Sequence, residues 1–488
     1  MKKMQTSNFS TNFHRICNRN RGRVRRARQI VLNCVKATSM TLGLFVFALG
    51  SPGQAWAANL PSGANVVHGT IDIQQQGNDA LQILQGSQSA IVNWQSFDIG
   101  AGALVDIVQP NIDSALLSRI VGGNPSEILG SLNANGHLFL VNPNGIIFGK
   151  DSTVDVHALI ASTLDIADAA FLSGNISFTG DSEAAVINLG SIEADSFAAL
   201  IGGKVTNAGS ITSRGGDVAL LAGDAILEVG EASGGKITLD LSGLLEGTAD
   251  NSGSIDVAAS TMKGGSATIL GERVSVEGLV DASGAIGGGQ VLIGGDYQGS
   301  NLDFSNAQTA NVSGSIFADS SSSGDGGRVI IWADGVTTFT GYLSATGSGA
   351  GSGGFAEISG KDILNFEGSV DLTSASGVSG TLLLDPTNIT ISNVGSHTSI
   401  SGSTTLEPSA AAGSVISLST LNTALGSSNV IIQTAAGGGS ETGNISVDSG
   451  LAITGSNDLT IIADGDVTMI SGSINLGSGD LSVTTGNT

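Results

Sequence analysis

One short phrase, repeated, restricts this chain more than any other feature. A glycine flanked by alternating apolar residues recurs as NLGSIEA at Asn188, NAGSITS at Asn207, NSGSIDV at Asn251, VEGLVDA at Val276, VSGSIFA at Val312, FTGYLSA at Phe339 and FEGSVDL at Phe366. Between these lies a second phrase that starts with paired glycines: GGDVALL at Gly215, GGKITLDL at Gly234, GGSATIL at Gly264, GGQVLIGG at Gly288, GGRVIIWA at Gly326 and GGFAEISG at Gly353. The unit returns every 19 to 38 residues. Period-two hydrophobicity marks each phrase as a short strand with one buried face, and the glycines sit where the chain must turn a corner. Strand, corner and strand at this spacing describe one coil of an all-β solenoid whose coils stack through parallel hydrogen bonds. About eighteen such coils are expected. No sustained 3.6-residue pattern supports a helical solenoid, and a β-sandwich does not demand a repeat of coil length.

Composition fits a thin, repetitive core. Only 4% of the 488 residues are aromatic and 72 are glycine, so the interior must be filled by small and β-branched side chains. With 12% charged residues and positive mean hydropathy, the chain is not a disordered one. One helix is expected in the whole rod, over SLSTLNTALGSS from Ser417 to Ser428.

Charge divides the chain sharply. Residues 1–57 hold 10 of the 19 Lys and Arg and no acid, leaving 9 basic against 42 acidic residues, a net charge of −33, in the remainder. A basic region from Arg15 to Lys36, an apolar run from Thr41 to Gly50 and the small-x-small pattern Ala55-Trp56-Ala57 form an extended signal peptide, cleaved before Ala58. The apolar run is too short to span a bilayer. Cys17 and Cys34 both lie in this leader, so the exported chain carries no cysteine and no disulfide. Its net charge excludes nucleic acid as a partner.

Chemistry-bearing clusters do not emerge from the residues. Acids fall one or two per coil, as at Asp256, Asp281, Asp319 and Asp371, and read as a solvated face. His68, His137, His157 and His397 lack metal-ligand spacing. No catalytic set, metal site or cofactor is expected, although parallel β-helices also include polysaccharide-degrading enzymes. A further alternative is the carrier rod of a toxin-delivery exoprotein.

One turn stands apart. In LFLVNPNGIIFGK, from Leu138 to Lys150, Pro143 fixes φ while Asn144 and Gly145 accept left-handed conformations. The runs on either side, HLFLV and IIFG, are expected to pair across it as a local hairpin. This stretch, with IVNWQSFDIGAGALVDIVQP from Ile91 and SRIVGGNPSEILGSLNANG from Ser118, resembles the amino-terminal secretion domain of the filamentous haemagglutinin family, the exoproteins of two-partner secretion. GGRVIIWADG, GGFAEISGKDILNFEG and GTLLLDPTNITIS, from Gly326, Gly353 and Gly380, are similar to phrases of its longer members.

The resemblance implies a right-handed parallel β-helix with an amino-terminal cap. It implies a two-partner secretion domain over 58–300, β-helical repeats over 301–386, and further repeats over 387–488 that are incomplete at the end. It makes Asn142, Pro143, Asn144, Gly145 and Ile146 a secretion-signal motif, and Asn124, Pro125 and Ser126 a degenerate secondary one, since Glu127 follows. The implied partner is an outer-membrane β-barrel transporter with periplasmic domains that binds the chain before it folds. The implied product is an adhesin, secreted or held at the surface of a Gram-negative-type bacterium, acting on a host or neighbour-cell receptor or glycan that no residue here discloses.

Overall fold

The computed structural model describes residues 59–174, 176–228, 236–240, 247–303, 305–393, 413–434 and 442–486. The cleavage residues Ala55, Ala57 and Ala58 lie outside these, as does His397. The chain divides into Met1–Ala55 and Trp56–Thr488, and the second unit is the one described.

Successive coils stack into a right-handed parallel β-helix with three strand columns. The paired-glycine phrases form the second column, as in Arg328–Ala333 under Phe355–Gly360, except GGKITLDL, whose strand Lys236–Asp240 leaves the coil for an antiparallel sheet. The glycine-centred phrases join the third column to the first: Val336–Phe339 ends the third, Gly341 makes the corner, and Tyr342–Ser344 enters the first. Both recurring phrases are thus parts of one coil, as the periodicity predicts.

The corner glycines are forced by stacking. A Cβ on Gly253 would lie 2.0 Å from the carbonyl oxygen of Gly209, and one on Gly278 would lie 1.9 Å from that of Gly253. With strands about 4.8 Å apart and corners directly superposed, only hydrogen fits between them.

Inward side chains form continuous ladders. One interior cluster runs from Leu81 to Leu476. The inward residue before the corner is asparagine in three coils, where Asn188 donates to Asn207 (2.8 Å) and Asn207 to Asn251 (2.7 Å), all fully or almost fully buried. The position then becomes Val276, Val312, Phe339 and Phe366, the last two stacked at 5.8 Å. An unpaired buried amide is costly, so a buried asparagine needs a neighbouring coil with a matching one.

At the amino-terminal end the strands turn antiparallel. Asn65–His68 pairs with Ser89–Trp94 and Ile71–Gln76 with Ala80–Gln85, which caps the first parallel rung. Thirteen parallel pairings in the second column then join fourteen rungs among the described residues. This is fewer than the eighteen expected, because several segments leave the coil. Asp165–Ile166, Ile176–Thr179, Asp224–Glu228 and Lys236–Asp240 build a separate antiparallel sheet, and residues 294–303 form a strap. That side sheet and the helix Asp168–Ser173 cover an outward apolar patch, with Phe171 edge-on to Phe139 at 5.1 Å. Arg119, whose side chain is 13% exposed, ties the sheet down: its Nε reaches Asp165 at 2.8 Å and its Nη1 reaches Asp168 at 2.7 Å.

The expected helix is present as Leu418–Ala424, with the Ser417 hydroxyl accepting from the Thr420 amide at 3.0 Å as its N-cap. Among the described residues no helix is long and apolar enough to cross a membrane.

Candidate functional site

The turn at Asn142–Ile146 is a corner of the β-helix, and the hairpin expected there does not form. Its flanking strands belong to different sheets. Ser131–Val141 pairs with Ala115–Ile120 and Thr153–Ser162 in the first and second columns, whereas Ile146–Phe148 pairs with Ser126–Ile128 and Ala185–Asn188 in the third. In a stacked coil the ladder partners lie one rung below and one above, so a turn redirects the chain without closing its strands on each other.

Local bonding explains the residue types. The Gly145 amide donates to the Asn142 carbonyl at 3.0 Å, closing the turn. Gly145 has φ +118°, where a side chain is strained. The Asn142 side-chain carbonyl accepts from the Asn144 amide (3.0 Å) and from Asn144 Nδ2 (3.1 Å), an Asx-type turn.

The same side chain reaches across coils. Asn142 is fully buried, and its Nδ2 donates to the Asn124 carbonyl and the Ser126 hydroxyl, both at 3.0 Å. Asn144 Nδ2 donates to the Gly122 carbonyl at 2.9 Å, and the Ser126 amide donates to the Gly145 carbonyl at 3.0 Å. The structure therefore places Asn124, Pro125 and Ser126 directly against Asn142, Asn144 and Gly145. Eighteen residues separate the two asparagines in sequence, about one coil. Above the corner, the Ser182 hydroxyl donates to the Pro143 carbonyl at 2.6 Å. Asn124, Pro125 and Pro143 are exposed, Asn144 is half-buried, and Asn142, Ser126, Gly145 and Ile146 are buried.

Two further groupings were not legible in the sequence. His137 and His157 sit on adjacent rungs with rings parallel within 7° and centroids 5.7 Å apart, and His157 Nδ1 lies 3.4 Å from Asp195 Oδ2. Burial, and then the charge of His157, hold His137 below the usual imidazole range. Their 20-residue separation is a coil length, not a metal-ligand spacing. Among the described residues no group of three or more His, Cys, Asp or Glu could hold a metal ion.

The second grouping lies under the strap. Glu357 is fully buried and accepts the Gln298 amide on both carboxylate oxygens at 3.1 Å, while Gln298 Nε2 donates to Asp385 at 3.0 Å. Burial pushes Glu357 up to about 7 and Asp385 up to about 6. The acids named in the sequence behave otherwise: Asp256, Asp281 and Asp371 each accept a backbone amide two residues on, and Asp319 accepts from Ser344 and Thr346. They fix the loops after the first column.

Comparison with known families matches residues 57–338 to the TPS secretion domain. The chain belongs to this two-partner secretion family. It is thus an exoprotein that a dedicated outer-membrane transporter carries across the outer membrane to the cell surface or the medium, and the family is not an enzymatic one. Two relatives are each named heme/hemopexin-binding protein, both from Haemophilus influenzae. One is 37% identical over 180 residues, which is 35% of this chain and 20% of that protein. The other is 38% identical over 129 residues, 26% of this chain and 14% of that protein. The chain thus spans a fifth or less of the length of the curated relatives it matches. The crystal structure of the HMW1 secretion domain from Haemophilus influenzae is similar in fold, with a TM-score of 0.59 and 23% identity over 87% of this chain and all of that one.

Proposed function

We propose that the chain is the exported amino-terminal part of an adhesin, and that the transporter's periplasmic domains bind the paired corners at Asn124–Ser126 and Asn142–Ile146 before the coils close. In this reading residues 58–300 are the transport domain, and 301–386 and 387–488 extend the coil that carries the adhesive surface. The observation behind it is the bonding of Asn142. In the folded corner its amide is fully buried and engaged, so a receptor that uses this amide must meet it on the uncoiled chain. Closing the corner gives Asn142 and Asn144 new partners in Asn124, Ser126 and Gly122, and folding would then displace the receptor. The net charge of −33 after the leader suits a chain that stays soluble outside the cell.

Export of Asn142→Ala and Asn144→Ala, measured beside the melting of the same purified variants, tests this. Secretion should fall further than stability does, and should vanish for every variant when the transporter is deleted. Normal secretion of both variants with the transporter present would refute the recognition role.

A second reading has its own support. Both relatives are named for binding heme and hemopexin, so capture of a haem carrier is the alternative to adhesion as the surface activity. Binding of purified exoprotein to immobilised hemopexin, against binding to epithelial cells, separates the two.

A further inference from the structure

Up to Ile363–Phe366, each strand of the third column lies on the strand that precedes it in sequence. The next two are inverted. Ser414–Ser417 sits on Ile363–Phe366, with Asn365 opposite Val415 and Phe366 opposite Ile416. Ile389–Ser392 sits one rung higher, on Ser414–Ser417 and under Ile445–Val447. The second column keeps sequence order through Thr381–Leu384, Asn429–Gln433 and Leu459–Ala463, so the third column holds one strand more between the same coils.

One feature shows that the extra rung is built into the chain. In the first column this level is filled by the helix Leu418–Ala424, which bonds upward through Asn422 to the Thr454 amide at 2.8 Å, while Ser427 bonds downward to the Val370 carbonyl at 2.6 Å. A helix is about 10 Å across and a strand rung about 4.8 Å, so the helix supplies two rungs of height on that face as the extra strand does on its own.

The strands share one in-out pattern. Ile389 and Ile391 point inward, as do Ser414 and Ile416. Read upward, the inward ladder is Phe366, Ile416, Ile391 and Val447, and exchanging the middle two keeps it apolar. Their difference is Ser414, buried, whose hydroxyl accepts from the Leu364 amide at 2.9 Å. Ile389 in that place offers the amide no such acceptor.

We propose that Ile389–Ser392 and Ser414–Ser417 compete for one position on Ile363–Phe366, and that the final order is reached by exchange: Ile389–Ser392, first in the chain, seats there and is lifted one rung when Ser414–Ser417 arrives with its helix. The coil order is consequently reset at this level, and folding pauses there.

The test needs no transporter, so its outcome is independent of the export reading. In purified full-length chain carrying Cys17→Ser and Cys34→Ser to remove the leader thiols, two pairs are introduced: Asn365→Cys with Val415→Cys, and Asn365→Cys with Thr390→Cys. Adjacent in-register strands bring Cα atoms within disulfide reach, and strands two rungs apart do not. Each variant is unfolded in urea and refolded, with oxidant added at successive delays, and the cross-linked fraction is read by gel mobility. The 365–390 pair should oxidise when oxidant is present from the start and lose at least tenfold in yield once folding is complete, while the 365–415 pair should oxidise late. Oxidation of 365–390 in the fully folded protein would overturn the inverted order. Its absence at every delay, with 365–415 forming from the earliest time, would overturn the exchange. Oxidation of neither pair would remove the shared position itself.

Discussion

Replacing Asn142 by alanine should cost more stability than any other single change in the corner. The side chain has no exposed surface and makes four hydrogen bonds: two donated, to Asn124 O and Ser126 Oγ, and two accepted from Asn144. Each such bond is worth about 1 kcal/mol net, and a buried partner left unsatisfied adds a further 1–3 kcal/mol. The Ser126 hydroxyl, fully buried, is such a partner, whereas Asn144 can turn its amide to solvent. Counting only the two donated bonds, since Asn144 regains its own from solvent, the sum is about 3–5 kcal/mol for Asn142→Ala. Asn144→Ala loses the bonds to Gly122 and to Asn142 Oδ1 from a half-buried position, for about 1–2 kcal/mol. Pro143→Ala, at an exposed position that keeps its carbonyl bond to Ser182, should cost less than about 1 kcal/mol. Urea unfolding of the exported chain, followed by circular dichroism and by hydrogen exchange in residues 115–148, reads this order directly. Equal midpoints for Asn142→Ala and Pro143→Ala would refute the claim that the buried amide joins the two coils.

Gly253→Ala places a methyl group 2.0 Å from the Gly209 carbonyl, and should yield insoluble or locally uncoiled protein where Gly123→Ala, with open space around it, does so far less; solubility and proteolysis of the two report it. Glu357 titrates in the fold at about 7 against an ordinary 4.5, so its raised value favours the folded state below pH 4.5 and that contribution is lost as pH rises to about 7. Glu357→Gln should therefore remove on the order of 3 kcal/mol of the decline in unfolding free energy between pH 4.5 and 8, and an unchanged pH profile would contradict the burial argument. Arg119→Ala cuts the ties to Asp165 and Asp168 and should raise hydrogen exchange in residues 165–179 while leaving the second-column strands protected.

The coil was legible because its determinants are local: the glycine at each corner and the alternation on each side are written into consecutive residues. What escaped depends on which coil lies on which. The turn at Asn142 has every mark of a hairpin, since Pro143, Asn144 and Gly145 set its shape, but pairing is decided by rungs above and below that the turn cannot encode. His137 and His157 meet because a coil is about twenty residues long there, and ligand spacings are read over far shorter distances. Glu357 lies in an outward-facing strand where an acid ordinarily meets water, and only the strap from 59 residues earlier buries it. The coil count was too high because repeat spacing cannot tell a residue in the coil from one in a side sheet. The inverted strands share a pattern with their neighbours, so alternation is silent about their order.

The asparagines at 188, 207 and 251 bear on how the stack avoids errors. A solenoid of near-identical coils invites a coil to dock on the wrong neighbour, since most apolar ladders accept any apolar occupant. Skipping the coil of Asn251 would set Asn207 against Val276, the place Asn251 takes in the fold, and would forfeit the Asn207–Asn251 bond, so the full run of three favours the correct succession. The run ends where Val276 begins. Beyond it this ladder is apolar and carries no such mark, and the carboxyl-proximal coils are where slipped or domain-swapped forms of the protein should originate.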